Sequence, residues 1–246
     1  MNLITVIIPY FKKKEFIEES LKSVLEQTYK NLEIIIVYDD ESYDDLDFIK
    51  KIKSYDSRII LIINPKSFGA GESRNIAIRQ SKGEYISFLD ADDIWKKKKI
   101  EIQFAHMKKN NYAISHTNYE IIDNKRNVLG VRVARNFNNT EDLLKSCDIG
   151  LSTVMLKKEL LYGEFFFPNL KTKEDFVLWL KLLQKKIMIG SIQINLTYWR
   201  KLDKSLSSSK IQKLLDGFRV YNHFMKFNKL KSLYYLMCLS INFLKK

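Results

Sequence analysis

The chain has 246 residues, 46% hydrophobic and 29% charged, enough to bury a core and ordinary for a globular protein. Its formal net charge of +13 is not ordinary and favours anionic partners: nucleic acid, acidic lipid or a phosphorylated substrate. Two distant cysteines in apolar contexts, Cys147 and Cys238, argue against a disulfide framework or a thiol metal site and fit a reducing cytosolic setting.

Leu3 to Ile8 reads as a first strand, ended by Pro9, with no basic leader or cleavage site ahead of it. Glu15 to Gln27 has a helical stripe of Phe16, Leu21, Val24 and Leu25. Leu32 to Val37 is a second buried strand, followed by Tyr38-Asp39-Asp40-Glu41-Ser42. Asp45 to Tyr55 is a charged amphipathic helix, and Ile59 to Ile63 a third strand stopped by Asn64-Pro65. A loop with Gly69 and Gly71 leads into a helix from about Glu72 to Ser81, and Glu84 to Leu89 is the fourth strand. Near-continuous apolar strands alternating with helices predict an α/β fold with a parallel sheet covered on both faces.

The pattern then loosens. Lys96 to Lys109 is a basic helix, and the run Lys96 to Lys99 reads as its solvated face. Ala113 to Ile122 and Val128 to Val133 are strands around an Asp123-Asn124 turn. Thr140 to Ser146 is a short helix with Thr140 as N-cap. Ser152 to Leu156 reads as a strand, Lys173 to Gln184 as a helix, and Ile187 to Ile194 and Leu196 to Trp199 as strands. Lys204 to Lys210 is a Ser-rich linker, beyond which the chain is helical, basic and aromatic. No apolar run reaches the ~18 residues that a membrane span needs; Leu233 to Leu244 is too short and contains Ser240 and Asn242.

The most informative feature is Asp90-Ala91-Asp92-Asp93, directly behind the apolar run Tyr85 to Leu89. Three adjacent carboxylates repel one another and are costly to desolvate, and a cation relieves both problems. Carboxylate oxygens suit Mg²⁺ or Mn²⁺, which are ordinarily held by one or two carboxylates plus substrate phosphates. Taken alone, the cluster reads equally well as a polar strand exit with an Asp helix cap. Topology adds weight to the first reading, because ligands of open α/β sheets bind outside the carboxyl ends of the strands. Pro9-Tyr10, Asp39-Asp40, the Lys66 to Arg74 loop and the acidic cluster all follow strand ends and are expected to converge on one crevice.

From Ile4 to about Ser207 the chain resembles the inverting family 2 glycosyltransferases with the GT-A fold. Val6-Ile7-Ile8-Pro9-Tyr10 resembles the family's first strand and its turn beside the nucleotide. Val37-Tyr38-Asp39-Asp40-Glu41-Ser42-Tyr43-Asp44 is similar to its Val-Asp-Asp-Gly-Ser-x-Asp segment. Gly69-Ala70-Gly71-Glu72-Ser73-Arg74-Asn75 is similar to Gly-x-x-x-Ala-Arg-Asn, Asp90-Ala91-Asp92 to Asp-x-Asp, and Glu174 to Trp179 to Glu-Asp-x-x-Leu-Trp. Three positions depart from the pattern. Glu41 replaces a Gly, Glu72 stands where a small residue is common, and Leu202 takes the His position of a late Tyr-Arg-x-His-x-x-Ser-x-Ser pattern. Lys201 or Lys204 is expected to supply positive charge in its place.

The resemblance implies a Rossmann-like nucleotide-sugar-binding half in residues 1–95 and an acceptor-binding half in 96–203 of the same domain; beyond it the residues themselves mark a C-terminal basic and aromatic helical segment, 211–246. It implies transfer of a sugar from a nucleotide diphosphate donor, with UDP as the default, to a glycan or lipid-linked hydroxyl. Asp92 then holds Mn²⁺ or Mg²⁺, Asp90 contacts the ribose or the metal shell, and Asp175 is the general base with Glu174 secondary. Asp40 accepts from the base imino group, Arg74 and Lys66 meet phosphate or base, and Pro9 and Tyr10 flank the nucleotide. Read without the family, Asp175 is a helix N-terminal charge, Asp40 an Asx-turn residue, Arg74 an exposed helix cation and Tyr10 a core-edge aromatic. Asp93 reads as the cap of the following helix.

In 211–246, Lys213, Arg219, Lys226, Lys229, Lys231, Lys245 and Lys246 mix with Phe218, Tyr221, Phe224, Phe227, Tyr234, Tyr235 and Phe243. That mixture suits either an interfacial helix on an anionic leaflet or a helix packed on the domain or a second subunit. The expected setting is cytoplasmic, with a peripheral position at the inner face of the membrane. A sugar-phosphate nucleotidyltransferase is the competing enzyme class, but the first strand leads into Pro9-Tyr10-Phe11 without the expected glycine-rich loop. A basic module for nucleic acid or membrane leaves the acidic crevice unexplained, and a nucleic-acid partner is not expected.

Overall fold

The computed structural model describes residues 2–163, 165–202 and 210–244. The Ser-rich stretch from Lys204 to Ser209, the terminal Lys245 and Lys246, and the side chain of Phe243 lie outside the described residues.

Four strands build the first half: β1 (Ile4–Tyr10), β2 (Leu32–Tyr38), β3 (Ile59–Ile63) and β4 (Tyr85–Phe88). They pair in parallel in the order β3-β2-β1-β4, with Ile7 opposite both Ile35 and Phe88. The helices between them are α1 (Lys14–Leu25), α2 (Tyr43–Lys53) and α3 (Ala70–Gln80). Alternate side chains of these strands enter two cores. Val6, Ile8, Ile34 and Ile36 pack with Ile17 and Leu21 of α1 and Ile49 and Ile52 of α2, while Ile7, Ile35, Val37 and Phe88 pack with Ala77 and Ile78 of α3. Both faces are covered, so the strands are near-continuously apolar rather than alternating, interrupted by the buried Thr5, Glu33 and Ser87.

The same sheet continues through the second half. β5 is a two-residue strand, Ile94–Trp95; α4 is Lys99–Asn110; β6 is Ile114–Ile122 and β7 Val128–Arg132. α5 is Thr140–Leu144, β8 Met155–Lys157, α6 Glu174–Gln184 and β9 Ile189–Arg200. The path runs β3-β2-β1-β4-β8-β6-β9-β5, with β7 on β6, and β4–β8, β8–β6 and β9–β5 are antiparallel. Where two strands are predicted between Ile187 and Trp199 there is one, whose register on β6 shifts around Asn118. Ser152 and Thr153 lie in a 3-10 turn ahead of β8. The α5 cap is Asn139, whose side-chain oxygen accepts from the Asp142 amide.

Two side chains turn inward where solvent or a cap is predicted. Lys99 is fully buried: its Nζ lies 4.0 Å from the Trp95 ring centroid and 2.5 Å from Ser87 Oγ, to which it donates. Burial pushes its ammonium well below the ordinary range. The helix starts at Lys99 rather than Lys96, which places Lys99 on the inward face with Ile100, Gln103 and Met107. Lys96 pairs with Glu120, so only Lys97 and Lys98 of the run stand exposed. Asp93, six residues ahead of α4, caps nothing. It is 1% exposed, accepting from Ser152 Oγ at 2.5 Å and from the Arg200 amide at 2.9 Å.

Gly83 admits no side chain where β4 approaches β1. A Cβ there would meet Thr5 N at 2.6 Å and Thr5 Oγ1 at 2.5 Å. Gly83→Ala is expected to cost about 1–3 kcal/mol through forced backbone shifts, measured as a lower urea midpoint with unchanged slope; an unchanged midpoint would show that the β1–β4 approach relaxes freely.

After β9 the chain forms α7 (Lys210–Arg219), a π-helical turn over 220–224 and α8 (Lys229–Leu244). Val220, Tyr221, Met225, Tyr235 and Leu239 join the core cluster that contains α6. Tyr221 donates to the Leu144 carbonyl and stacks on Tyr235 at 5.7 Å. One side of this segment is therefore packed on the domain.

Candidate active site

A cavity of about 420 Å³ opens at the carboxyl ends of β1, β2 and β4. Its lining includes Pro9, Tyr10, Lys13 and Asp39 from the first two strand exits, Arg74 from α3, and Asp90 and Asp92 behind β4. Opposite stand Lys171, Lys173, Glu174 and Asp175 at the start of α6, with Tyr119, Leu151, Trp199, Arg200 and Leu202 from the second half.

The β2 exit organises the next loop. Asp39 accepts from the amides of Phe68 and Gly69, both at 2.8 Å, from Asn64 Nδ2 at 2.6 Å and from Ser67 Oγ at 3.1 Å. Gly69, at φ 89°, occupies a region that favours glycine and sits immediately ahead of α3. Asp39 thus sets the start of the helix that carries Arg74. Sequence reasoning missed this role, since two adjacent aspartates look alike until their direction is known. Asp40 accepts from the amides of Lys12 at 2.9 Å and Glu41 at 2.7 Å, and it lies outside the cavity lining. The departures are absorbed locally. Exposed Glu41 precedes Ser42, which caps α2, and Glu72 pairs with Arg79 and Asn75.

Arg74 is 4% exposed and joins two motifs 84 residues apart. Its Nη2 lies 2.7 Å from Asp90 Oδ1 and its Nη1 2.7 Å from Glu174 Oε1. The guanidinium carbon is 5.5 Å from the Phe167 ring centroid, and Nε has no hydrogen-bond partner among the described residues. Arg74 is therefore no exposed helix cation. Glu174, ranked second in the sequence, is half of its clamp.

Asp92 lies 2.8 Å from Lys13 Nζ, a contact that sequence reasoning did not anticipate. Burial, then the Asp90 charge, raises its pKa despite that lysine. Burial and the charges of Asp92 and Asp90 push Asp93 further up. Arg200 closes the cluster from β9, donating from Nε to the Asp92 carbonyl at 2.9 Å and pairing with Glu19 at 2.6 Å.

Asp175 lines the cavity, half-buried, with Oδ1 accepting from the Phe176 amide at 2.8 Å. Its pKa is raised to about 7, first by desolvation and then by Glu174, while the Phe176 amide and Arg74 oppose the rise. A carboxyl at that value suits proton transfer near neutral pH.

The other predicted contacts divide. Pro9 lines the cavity. Tyr10 also borders it, but its ring is fully buried and stacked on Tyr38 at 5.4 Å, with the hydroxyl donating to Asp45 at 2.7 Å. That placement matches the core-edge reading and leaves no open ring face for a base. Lys66 is exposed beside Phe68, outside the cavity lining. Lys13, Lys171 and Lys173 are the lysines that do line it, and Leu202 stands on the wall at the family's His position.

The sequence profile described as glycosyl transferase family 2 matches residues 5–160. The chain belongs to glycosyl transferase family 2. It is 39% identical to the UDP-Glc:alpha-D-GlcNAc-diphosphoundecaprenol beta-1,3-glucosyltransferase WfgD of Escherichia coli, over 96% of this chain and 91% of that one. It is 33% identical to the putative teichuronic acid biosynthesis glycosyltransferase TuaG of Bacillus subtilis, over 91% of each. Its fold matches S. aureus TarS 1-349 in complex with UDP-GlcNAc, with a TM-score of 0.76 at 20% identity, over 95% of this chain and 70% of that one. A second match is the mannosyltransferase PcManGT of Pyrobaculum calidifontis in complex with GDP-Man and Mn²⁺, with a TM-score of 0.72 at 15% identity, over 96% and 70%. This family 2 chain is thus a glycosyltransferase of the GT-A fold.

Proposed function

We propose that the protein transfers glucose or a related hexose from its UDP-sugar to a hydroxyl of a lipid-linked glycan, inverting the anomeric centre. The observation that carries the reading is one cavity bordered by Asp90 and Asp92 on one side and by Asp175, with a pKa near neutrality, on the other. The donor and acceptor classes rest on the 39%-identical relative, whose name specifies UDP-Glc and a diphosphoundecaprenol-linked GlcNAc.

Asp90 and Asp92 suit a divalent cation, Mn²⁺ or Mg²⁺. They are hard oxygen donors that border the cavity together, Asp90 held by Arg74 at 2.7 Å and Asp92 by Lys13 at 2.8 Å. No group of three or more His, Cys, Asp or Glu side chains placed to hold a metal occurs among the described residues. Diphosphate and water would therefore complete the coordination, the usual arrangement for such ions. When bound, the ion neutralises charge on the leaving diphosphate. Lys13, Lys171 and Lys173 add positive charge around the same cavity.

Asp175 takes the proton of the acceptor hydroxyl as its oxygen bonds to the sugar C1. The bond from C1 to the diphosphate oxygen breaks on the opposite face, and its electron pair leaves with UDP. Glu174, clamped by Arg74, keeps the start of α6 in place and raises the basicity of Asp175. Tyr119, Trp199, Leu151 and Leu202 offer the acceptor a largely apolar wall.

The test is incubation with UDP-glucose, Mn²⁺ and a polyprenyl-diphosphate-linked N-acetylglucosamine. The expected product is a β-linked disaccharide lipid; an α-linkage or no transfer from any UDP-hexose would overturn the reading. In the same buffer, Asp92→Ala is expected to lose the Mn²⁺-dependent part of the thermal stabilisation given by UDP, and equal stabilisation of both proteins would remove Asp92 from the site.

A further inference from the structure

We propose that the outward face of α7 and α8 docks on an anionic bilayer and holds the cavity at its surface; the docking stands on the surface itself, and its use for a lipid-linked acceptor rests on the function proposed above. Along α8, Leu230, Leu233, Tyr234, Met237 and Ile241 are exposed at spacings of three and four, one continuous stripe. Leu230 is 80% and Met237 62% exposed. On α7, Ile211, Leu214 and Leu215 repeat the spacing, with Ile211 73% exposed. The opposite side of α8 is already occupied, with Ser232, Tyr235 and Leu239 buried against the domain. The helix is thus fixed in orientation, with a second apolar face left over.

Charge selects what covers that face. Residues 210–246 contain eight Lys and Arg against a single acid, Asp216. That acid is turned away from solvent, fully buried, its Oδ2 accepting from the Thr172 amide and hydroxyl, both at 3.0 Å, and from Gln212 at 2.9 Å. At the start of the stripe stand Lys226, Lys229 and Lys231, all exposed. A second copy docked through this same segment offers those lysines no exposed carboxylate side chain, whereas acidic headgroups complement them. α8 has 16 residues, and no helix of the described residues is long and apolar enough to cross a membrane, so the segment lies in the interface rather than spanning it.

The surface is tied directly to the site. Thr172, held by Asp216 of α7, lines the cavity between Lys171 and Lys173, two residues ahead of Glu174. Gly217 lies where a Cβ would sit 3.5 Å from Lys173 Cε. Helices pressed onto a bilayer thus place the loop beside Asp175 at a fixed distance from it, where a lipid-borne hydroxyl is delivered.

Flotation of the full chain with vesicles tests this. Binding is expected to vesicles containing phosphatidylglycerol and not to pure phosphatidylcholine. The double variant Leu230→Glu, Met237→Glu replaces only exposed side chains and should lower the partition coefficient at least tenfold, and Lys226, Lys229 and Lys231 changed together to Ser should lower it in anionic vesicles. Thermal stabilisation by UDP with Mn²⁺ reports the site separately and should match wild type in both variants. Undiminished flotation of the Leu230/Met237 variant would overturn the proposal, as would failure of the wild type to float; a dimer that this variant dissociates would then name a second copy as the occupant. Flotation as expected, but without stabilisation by any nucleotide, would uphold the docking and defeat the functional reading.

Discussion

Asp175→Asn is expected to lower kcat by about 10²–10⁴-fold, the usual contribution of a positioned general base, while leaving nucleotide binding intact. The amide keeps the shape of the side chain and loses only the ability to accept the proton. In the wild type only the carboxylate form works, so kcat should rise with pH and level off above about 7, the value to which burial and Glu174 lift this group. The variant's residual rate should lack that dependence. Stability moves the other way. The carboxyl titrates from 3.8 in the open chain to about 7 in the fold. Below 3.8 both states hold the proton and Asp175 contributes nothing. Between the two values the unfolded chain releases its proton first, so wild-type stability falls as pH rises, and above 7 the loss is complete. Asn has no such loss. Thermal denaturation at pH 4 and pH 8 should show the variant level with wild type at the lower pH and more stable at the higher. A rate unaffected by the substitution would remove Asp175 from the chemistry, and a stability difference that does not grow with pH would remove its raised pKa.

Arg74→Met is expected to cost about 3 kcal/mol of stability, the lower end of what breaking a buried ion pair costs. Arg74 and Glu174 have side-chain exposures of 4% and 12%, but Asp90 is 34% exposed and partly screened. Met fills the space of the arginine stem, so the loss measures the charge left behind rather than a cavity. Arg74→Lys should lie between, since an ammonium lacks the planar fork that serves two carboxylates at once. Arg74 also opposes the rise in the Asp175 pKa, so its removal should move the midpoint of the rate profile above 7. Urea unfolding and a pH profile of residual transfer measure the two effects, and a loss below 1 kcal/mol would mean that the clamp is solvated.

The first half of the fold is legible because its physics is local. Strands buried on both faces are near-continuously apolar, as Ile4 to Ile8 and Leu32 to Val37 are apart from the hydrogen-bonded pair Thr5 and Glu33, and helices must lie between parallel neighbours. The second half is less legible. β5 has two residues, and its place depends on pairing with Thr197 and Tyr198, about a hundred residues away. Predicted surface and cap positions turned inward for the same reason. Lys99 is buried because α4 starts three residues later than its charge run suggests, and Asp93 because Ser152 and the Arg200 amide wait for it.

The parallel α/β frame, the crevice at its strand ends and the membership in glycosyl transferase family 2 are legible in the amino-acid order, each carried by short runs whose chemistry or spacing repeats locally. Asp90, Asp92, Arg74 and Asp175 are all named in the sequence by such runs. Tertiary structure alone decided that Arg74 bridges Asp90 to Glu174, that Asp39 rather than Asp40 builds the loop ahead of α3, that the ring of Tyr10 is committed to Tyr38, and that Asp216 ties the C-terminal helices to the start of α6. These contacts span from 16 to 100 residues, those of Asp39 from 25 to 30. A charge takes the partner that folding brings to it, and neither composition nor period fixes which of 29 carboxylates that will be.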